Sequence, residues 1–289
     1  MNATSAQLEG QALSARTHAI RPWGKWGLRA VGILWLGVMI VLPLAALIEH
    51  GLRDGLRPVW RDITNPIALA ALKLTFLTAI VMTVINAVMG TLTAYVLVRY
   101  RFFGNRLLNS VIDLPFAIPT LVTGVMLVVL YGPQHVFGAW MAARGIQIIF
   151  ATPGIVLALL FVTYPFVIRA VQPVLMELDQ AQEEAAWTLG ASSWRTFVEI
   201  ILPAITPAIL TGALLSFARA LGEFGSIVIV AGNIPRSTLT APVYLFGQIE
   251  SQNQRGASAM SLVLLALSFA LMMFVDWLQE RAGGGNAAA

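Results

Sequence analysis

Long uninterrupted apolar runs, rather than alternation, organise this chain of 289 residues. A helix needs about 20 mostly apolar residues to cross the hydrocarbon core of a bilayer. Six stretches reach that length: residues 28–48, 68–98, 107–131, 150–171, 203–224 and 259–278. None has the period-2 alternation of a barrel strand. The pattern predicts an all-α fold, an integral membrane bundle of about six transmembrane helices. The apolar run at 226–231 is too short to cross and reads as part of a turn-back after the fifth span. The first run is longer than the roughly 7–15 apolar residues of a signal peptide, so it reads as a retained anchor. Three regions follow: a flexible N-terminus over 1–25, a transmembrane domain over 26–279 and a short tail over 280–289.

Composition agrees with the pattern. The chain is 58% hydrophobic and 11% charged, against about 25% charged in ordinary soluble domains. Disorder and a soluble enzyme are both excluded. There is no cysteine, hence no disulfide, thiolate metal site or cysteine nucleophile. His18, His50 and His135 are scattered without metal-ligand spacing, so neither a metal nor another cofactor is expected. A membrane hydrolase needs a paired nucleophile and base in its spans, and no Ser/His or Asp/Asp pair is present there; no catalytic residue is predicted. The one Gly-Lys pair, Gly24-Lys25, is followed by Trp26 rather than Ser or Thr. The chain therefore lacks a P-loop and does not hydrolyse ATP by that route.

The net charge of +4 reads as a topology signal rather than as a nucleic-acid surface. With the N-terminus inside, inner segments carry ten Lys/Arg and outer loops six. The dense Arg99–Arg106 cluster supplies most of that bias. An even number of spans then leaves both termini cytoplasmic.

Between the fourth and fifth spans lies the longest internal polar stretch, Met176-Glu-Leu-Asp-Gln-Ala-Gln-Glu-Glu-Ala-Ala-Trp-Thr-Leu-Gly190. Leu178, Ala181, Ala185, Trp187 and Leu189 form an apolar side; Glu177, Gln180, Glu183 and Glu184 form a polar one. This pattern predicts a short amphipathic helix. Gly190 is placed to stop it, and Ser192 or Ser193 to cap the next. Pro203 falls at the start of the fifth span.

Glu184-Ala185-Ala186, then Gly190, then Ile200 and Leu202-Pro203 resemble the cytoplasmic signature of binding-protein-dependent ABC importer permeases. The resemblance covers about Trp26 to Gln279. Asp113-Leu-Pro-Phe-Ala-Ile-Pro-Thr120 is similar to the third-span motif of sulfate permeases. Phe166-Val-Ile-Arg-Ala-Val-Gln-Pro173 is similar to the segment leading into their signature loop. Ala218-Arg-Ala-Leu-Gly-Glu-Phe-Gly225 and Ala231-Gly-Asn233 resemble the sulfate and molybdate groups alike. The context of Phe116, Thr120 and Val171-Gln-Pro173 identifies the chain as a member of the sulfate/thiosulfate permeases, T-type. The molybdate/tungstate permeases of the same superfamily are the nearest alternative, and a stand-alone secondary anion transporter a more distant one.

The resemblance implies a permease subunit in a bacterial inner membrane. It implies a heterodimer with a second permease subunit, two copies of a cytoplasmic ATPase and a periplasmic sulfate-binding protein. Nucleic acid has no part, and the remaining surface meets lipid. The helix carrying Glu184, Ala185 and Ala186, with Gly190 behind it and Leu202-Pro203 beyond, would be the cytoplasmic coupling helix on the ATPase. The pore would alternate between inward- and outward-open arrangements. Charges at membrane depth are functional candidates, here Lys73, Asp113, Arg219 and Glu223. Arg219 and Glu223 are four residues apart on one helix face and can pair. They either line the sulfate path or bridge the fifth span. Lys73 either snorkels to the interface or meets sulfate. Asp113 caps a helix, pairs with an arginine or faces the pore. Gly222 and Gly225 either open backbone toward an anion or serve close packing.

Overall fold

The computed structural model describes residues 22–283. Among these, all regular structure is helical. The chain divides into two compact units at Arg53/Asp54.

In the first unit, a helix over Trp26–Leu52 (α1) is long and apolar enough to cross a membrane. Most of its exposed side chains are apolar, among them Leu28, Val31, Ile33 and Leu34. Within it, Gly37–Val41 is a π segment, in which the Leu42 N–H donates to the Gly37 carbonyl. Pro43 supplies the reason. It has no N–H, and its ring crowds the carbonyl four residues earlier, so the ladder slips by one residue. Most of the predicted N-terminal region, residues 1–21, lies outside the described residues.

The second unit contains the remaining helices: α2 (Leu56–Ile63), α3 (Pro66–Arg99), α4 (Asn105–Ile112), α5 (Leu114–Ala117), α6 (Thr120–Tyr131), α7 (Val136–Ala142), α8 (Thr152–Glu177), α9 (Gln180–Thr188), α10 (Ser193–Leu221), α11 (Gly225–Val230), α12 (Ala241–Glu250) and α13 (Gln254–Gly283). The apolar runs at 68–98, 150–171, 203–224 and 259–278 correspond to α3, α8, α10 and α13. The fifth span starts well before Pro203. Its first turns pass through a second π segment, Phe197–Ile201, closed by the Leu202 N–H on the Phe197 carbonyl. As in α1, the slip comes immediately before a proline.

The third run departs from a single straight helix. Asn105–Ala117 and Thr120–Tyr131 meet at 113°. Pro119 causes the break, because a residue before proline is pushed out of the helical region. Ile118 accordingly has φ −82° and ψ 126°. The short run at 226–231 forms α11, which packs on α6. Gly124 lets them approach: a Cβ there would stand 2.8 Å from the Ser226 carbonyl oxygen and 2.9 Å from the Ile229 Cβ.

The core centres on α8, held between α3 and α10. Both neighbours reach it through a glycine at the same level. A Cβ on Gly90 would lie 2.8 Å from the Val167 Cβ, and one on Gly212 2.7 Å from the Val167 Cα. Lipid offers no hydrophobic reward for helix association, so close backbone approach and interhelical hydrogen bonds supply it. Asn86 on α3 donates to Thr163 Oγ1 on α8 at 2.8 Å. Met82, Ile155, Leu159, Ile168 and Ile205 fill the spaces between.

Candidate functional site

Three groups of predicted residues occupy separate places. The first is α9 and its ends. Asp179 Oδ1 accepts the Ala181 N–H at 2.9 Å and caps the start. At the other end Gly190 has φ +83°. Its N–H donates to the Trp187 carbonyl, and the Ala191 N–H to the Ala186 carbonyl, both at 3.0 Å. These two bonds satisfy carbonyls that a helix end leaves free, and they need a left-handed residue between them. Ser192, rather than Ser193, caps the next helix, accepting the Arg195 N–H at 3.3 Å. Local hydrogen bonds thus define α9 at both ends, and it stands as a short, preformed rod.

Only a narrow side of α9 is turned inward. Glu183 and Ala186 are the buried residues of α9. Ala181, Ala185, Trp187 and Leu189 of the apolar side are exposed, as is Glu184. Leu189 is 88% and Trp187 51% exposed, and Trp194 stands out beside them. A buried arginine explains why Glu183 turns inward: Arg99, at the end of α3, holds it at 2.5 Å. Leu202 is half-buried and Pro203 exposed.

The second group lies where α10 meets α11. Arg219 and Glu223 form the expected ion pair, Nη1 to Oε2, at 2.9 Å. The glutamate is 1% exposed and the arginine 37%. The other carboxylate oxygen, Oε1, accepts the Ser226 N–H at 3.0 Å and the Ser226 hydroxyl at 2.9 Å. Glu223 therefore also holds the first turn of α11. Gly222 has φ −97°, a value open to any residue, so the backbone there does not require glycine. Gly225 is needed for packing, since a Cβ would fall 2.2 Å from Thr120 Oγ1.

The third group involves Asp113, which pairs with Arg169 of α8 in two-pronged fashion, at 2.7 and 2.5 Å. Asn109 and Gln172 complete the arginine's partners. The bond ties α8 to the α4–α5 junction. Lys73 stands alone and exposed on α3. A cleft of about 590 Å³ beside α3, α6 and α8 is lined by Asn86, Thr123, Tyr164 and apolar side chains such as Met89 and Phe161. No charged residue lines it, so a dianion entering it would be stripped of water without a counter-charge.

Sequence reasoning missed Arg99 and Arg169, both counted as topology signals, and Glu183, counted as part of a solvated face. No local signal distinguished them. Their partners lie 84 and 56 residues away.

Comparison with known proteins agrees with this architecture. Two relatives are named as sulfate transport system permease proteins. The one from Chlorokybus atmophyticus, named as probable, is 42% identical over 92% of each chain. That from Escherichia coli (strain K12) is 41% identical over 87% of this chain and 91% of the relative. Among solved structures, a chain of a bacterial alginate ABC transporter superposes with a TM-score of 0.75, covering 91% of this chain and 96% of that one at 16% identity. Residues 86–283 match the "Binding-protein-dependent transport system inner membrane component" family. With a family match of that extent and relatives of that similarity over most of its length, the chain belongs to the permeases of binding-protein-dependent ABC transporters.

Proposed function

We propose that this chain is one permease subunit of an ATP-driven importer of sulfate and thiosulfate. The observation that carries the reading is the likeness to sulfate transport permeases, near 40% identity over most of both chains. The exposed, locally capped α9 supports it. The Ala181, Ala185, Trp187 and Leu189 side of that helix offers an apolar surface to a cytoplasmic ATPase, with Glu184 beside it to meet a basic group. A second permease subunit would complete the pore, two ATPase copies would drive it, and a periplasmic sulfate-binding protein would load it. In this reading both termini lie in the cytoplasm, and the Arg99–Arg106 cluster marks the inner face. The test is labelled sulfate uptake in vesicles containing all partners. Uptake should require ATP and the loaded binding protein, and excess molybdate should compete weakly. Uptake without ATP would overturn the reading; strong molybdate preference would move it to the neighbouring group.

Arg219 is the candidate in the path. Its partner is buried while the guanidinium itself remains partly open, free to attract a dianion, with Glu223 limiting how tightly it holds. Arg219→Ala should lower uptake roughly tenfold or more, the scale of a lost charge-assisted hydrogen bond, while Arg219→Lys should retain part of it. Wild-type rates in Arg219→Ala would leave the residue a structural role only.

A further inference from the structure

Movement of α9 reaches α8 and α10 through the chain, since one short link precedes α9 and another follows it. No such covalent path leads to α3, whose end lies 84 residues before Glu183. A noncovalent link is present at that point. Arg99, the last residue of α3, donates from Nη1 to the Leu175 carbonyl at 3.0 Å and from Nη2 to Glu183 Oε1 at 2.5 Å. Leu175 is in the last turn of α8, where carbonyls lack an intrahelical donor. One guanidinium thus joins α3, α8 and α9.

The pair is nearly enclosed, at 9% and 6% side-chain exposure. Breaking it strands a buried charge, a far larger penalty than losing a surface ion pair. It is also the principal attachment of α9 besides its two ends, because only Glu183 and Ala186 of that helix are buried. Beside the pair lies a polar cleft of about 340 Å³ lined by Tyr95, Gln180, Glu184, Trp187 and Thr196. Arg99 Nε and Thr196 Oγ1 are buried there without a hydrogen-bond partner. The guanidinium tip is held by two partners at once, tying the Leu175 carbonyl and the Glu183 carboxylate to the end of α3.

We infer that the Arg99–Glu183 pair transmits the movement of α9 to α3, with Arg99 as a positioning residue for transport. The inference rests on the coupling role proposed for α9. Because the chain has no cysteine, Val96→Cys and Gln182→Cys provide two unique spin-label positions on α3 and α9, both exposed. The experiment uses the complete complex with cysteine-free partners. With Arg99 in place, the label distance should stay single and narrow between nucleotide-free and ATP-trapped states. In Arg99→Leu it should broaden or shift with nucleotide. Sulfate moved per ATP should fall about 2- to 30-fold, the range of single-residue coupling effects, while ATP hydrolysis continues. If Arg99→Leu does not accumulate, Arg99→Lys, which keeps charge but not the two-pronged reach, carries the same measurements. An unchanged distance together with unchanged sulfate per ATP overturns the link. Wild-type uptake that needs no ATP overturns the proposed function instead, and the label distances remain readable in that case.

Discussion

A chain carrying Gly190→Pro is expected to insert into the membrane and to lose ATP-driven sulfate uptake. Gly190 sits at φ +83°, whereas proline is locked near −65°. Proline also removes the N–H that donates to the Trp187 carbonyl. Both features that end α9 therefore fail together, and the rod loses its defined angle to α10. Its spans are untouched, because Gly190 is exposed and a side chain there meets no atom within 4 Å. Gly190→Ala separates the two causes. It keeps the N–H and pays only the left-handed backbone penalty, about 1–2 kcal/mol, so uptake should be reduced rather than abolished. Glu184→Lys should act like proline by a different route, reversing a charge on the exposed side without disturbing the fold. Membrane content by immunoblot, co-purification of the ATPase and labelled uptake are the readouts. Full uptake in Gly190→Pro would remove α9 from the coupling mechanism.

The spans were legible because membrane helices announce themselves by local composition. Each of α3, α8, α10 and α13 coincides with an apolar run, since lipid demands about 20 apolar residues whatever the neighbours are. Tertiary detail is less local. The 113° bend between the two halves of the third run follows from Pro119, yet prolines inside α8 at Pro165 and Pro173 leave that helix continuous. What separates the cases is whether surrounding helices hold the segment together, and α8 is packed on both sides by α3 and α10. Likewise α11 is too short to cross, but its burial on α6 makes it a structural element rather than a loose turn.

At the candidate site, spacing sufficed where the contact was local. Gly190 as the stop of α9, Ser192 as a cap and the Arg219–Glu223 pair are all relations within a few residues, and each follows from helix geometry. The inward face of α9 was not legible, because amphipathicity shows which side is apolar but not what each side meets. Here Arg99 supplies a buried counter-charge, so Glu183 turns inward and Trp187 and Leu189 remain outside. For a helix that docks on a separate chain, an exposed apolar side is the physical requirement.

Glu223→Ala should be the most destabilising of the single substitutions considered. The carboxylate is fully enclosed and satisfies three donors, Arg219 Nη1 and the N–H and hydroxyl of Ser226. Removing it strands a guanidinium and leaves two buried donors without their acceptor. Leaving a buried donor without its acceptor costs about 1–3 kcal/mol, and the partly open guanidinium, which water reaches, adds less than an enclosed charge would, so the melting temperature of the purified protein in detergent should drop clearly. Glu223→Gln tests which contact matters. Its amide oxygen can still accept from Ser226 and hold α11, while the charge on Arg219 goes unanswered. If Glu223 acts only by fixing the α10–α11 junction, the glutamine variant should keep most of its uptake along with its stability. If the carboxylate also tempers how strongly Arg219 holds a dianion, the glutamine variant should bind sulfate more tightly and release it more slowly, lowering both KM and turnover. An alanine variant that melts with the wild type would refute the structural role, and a glutamine variant with wild-type KM and turnover would refute the tempering role.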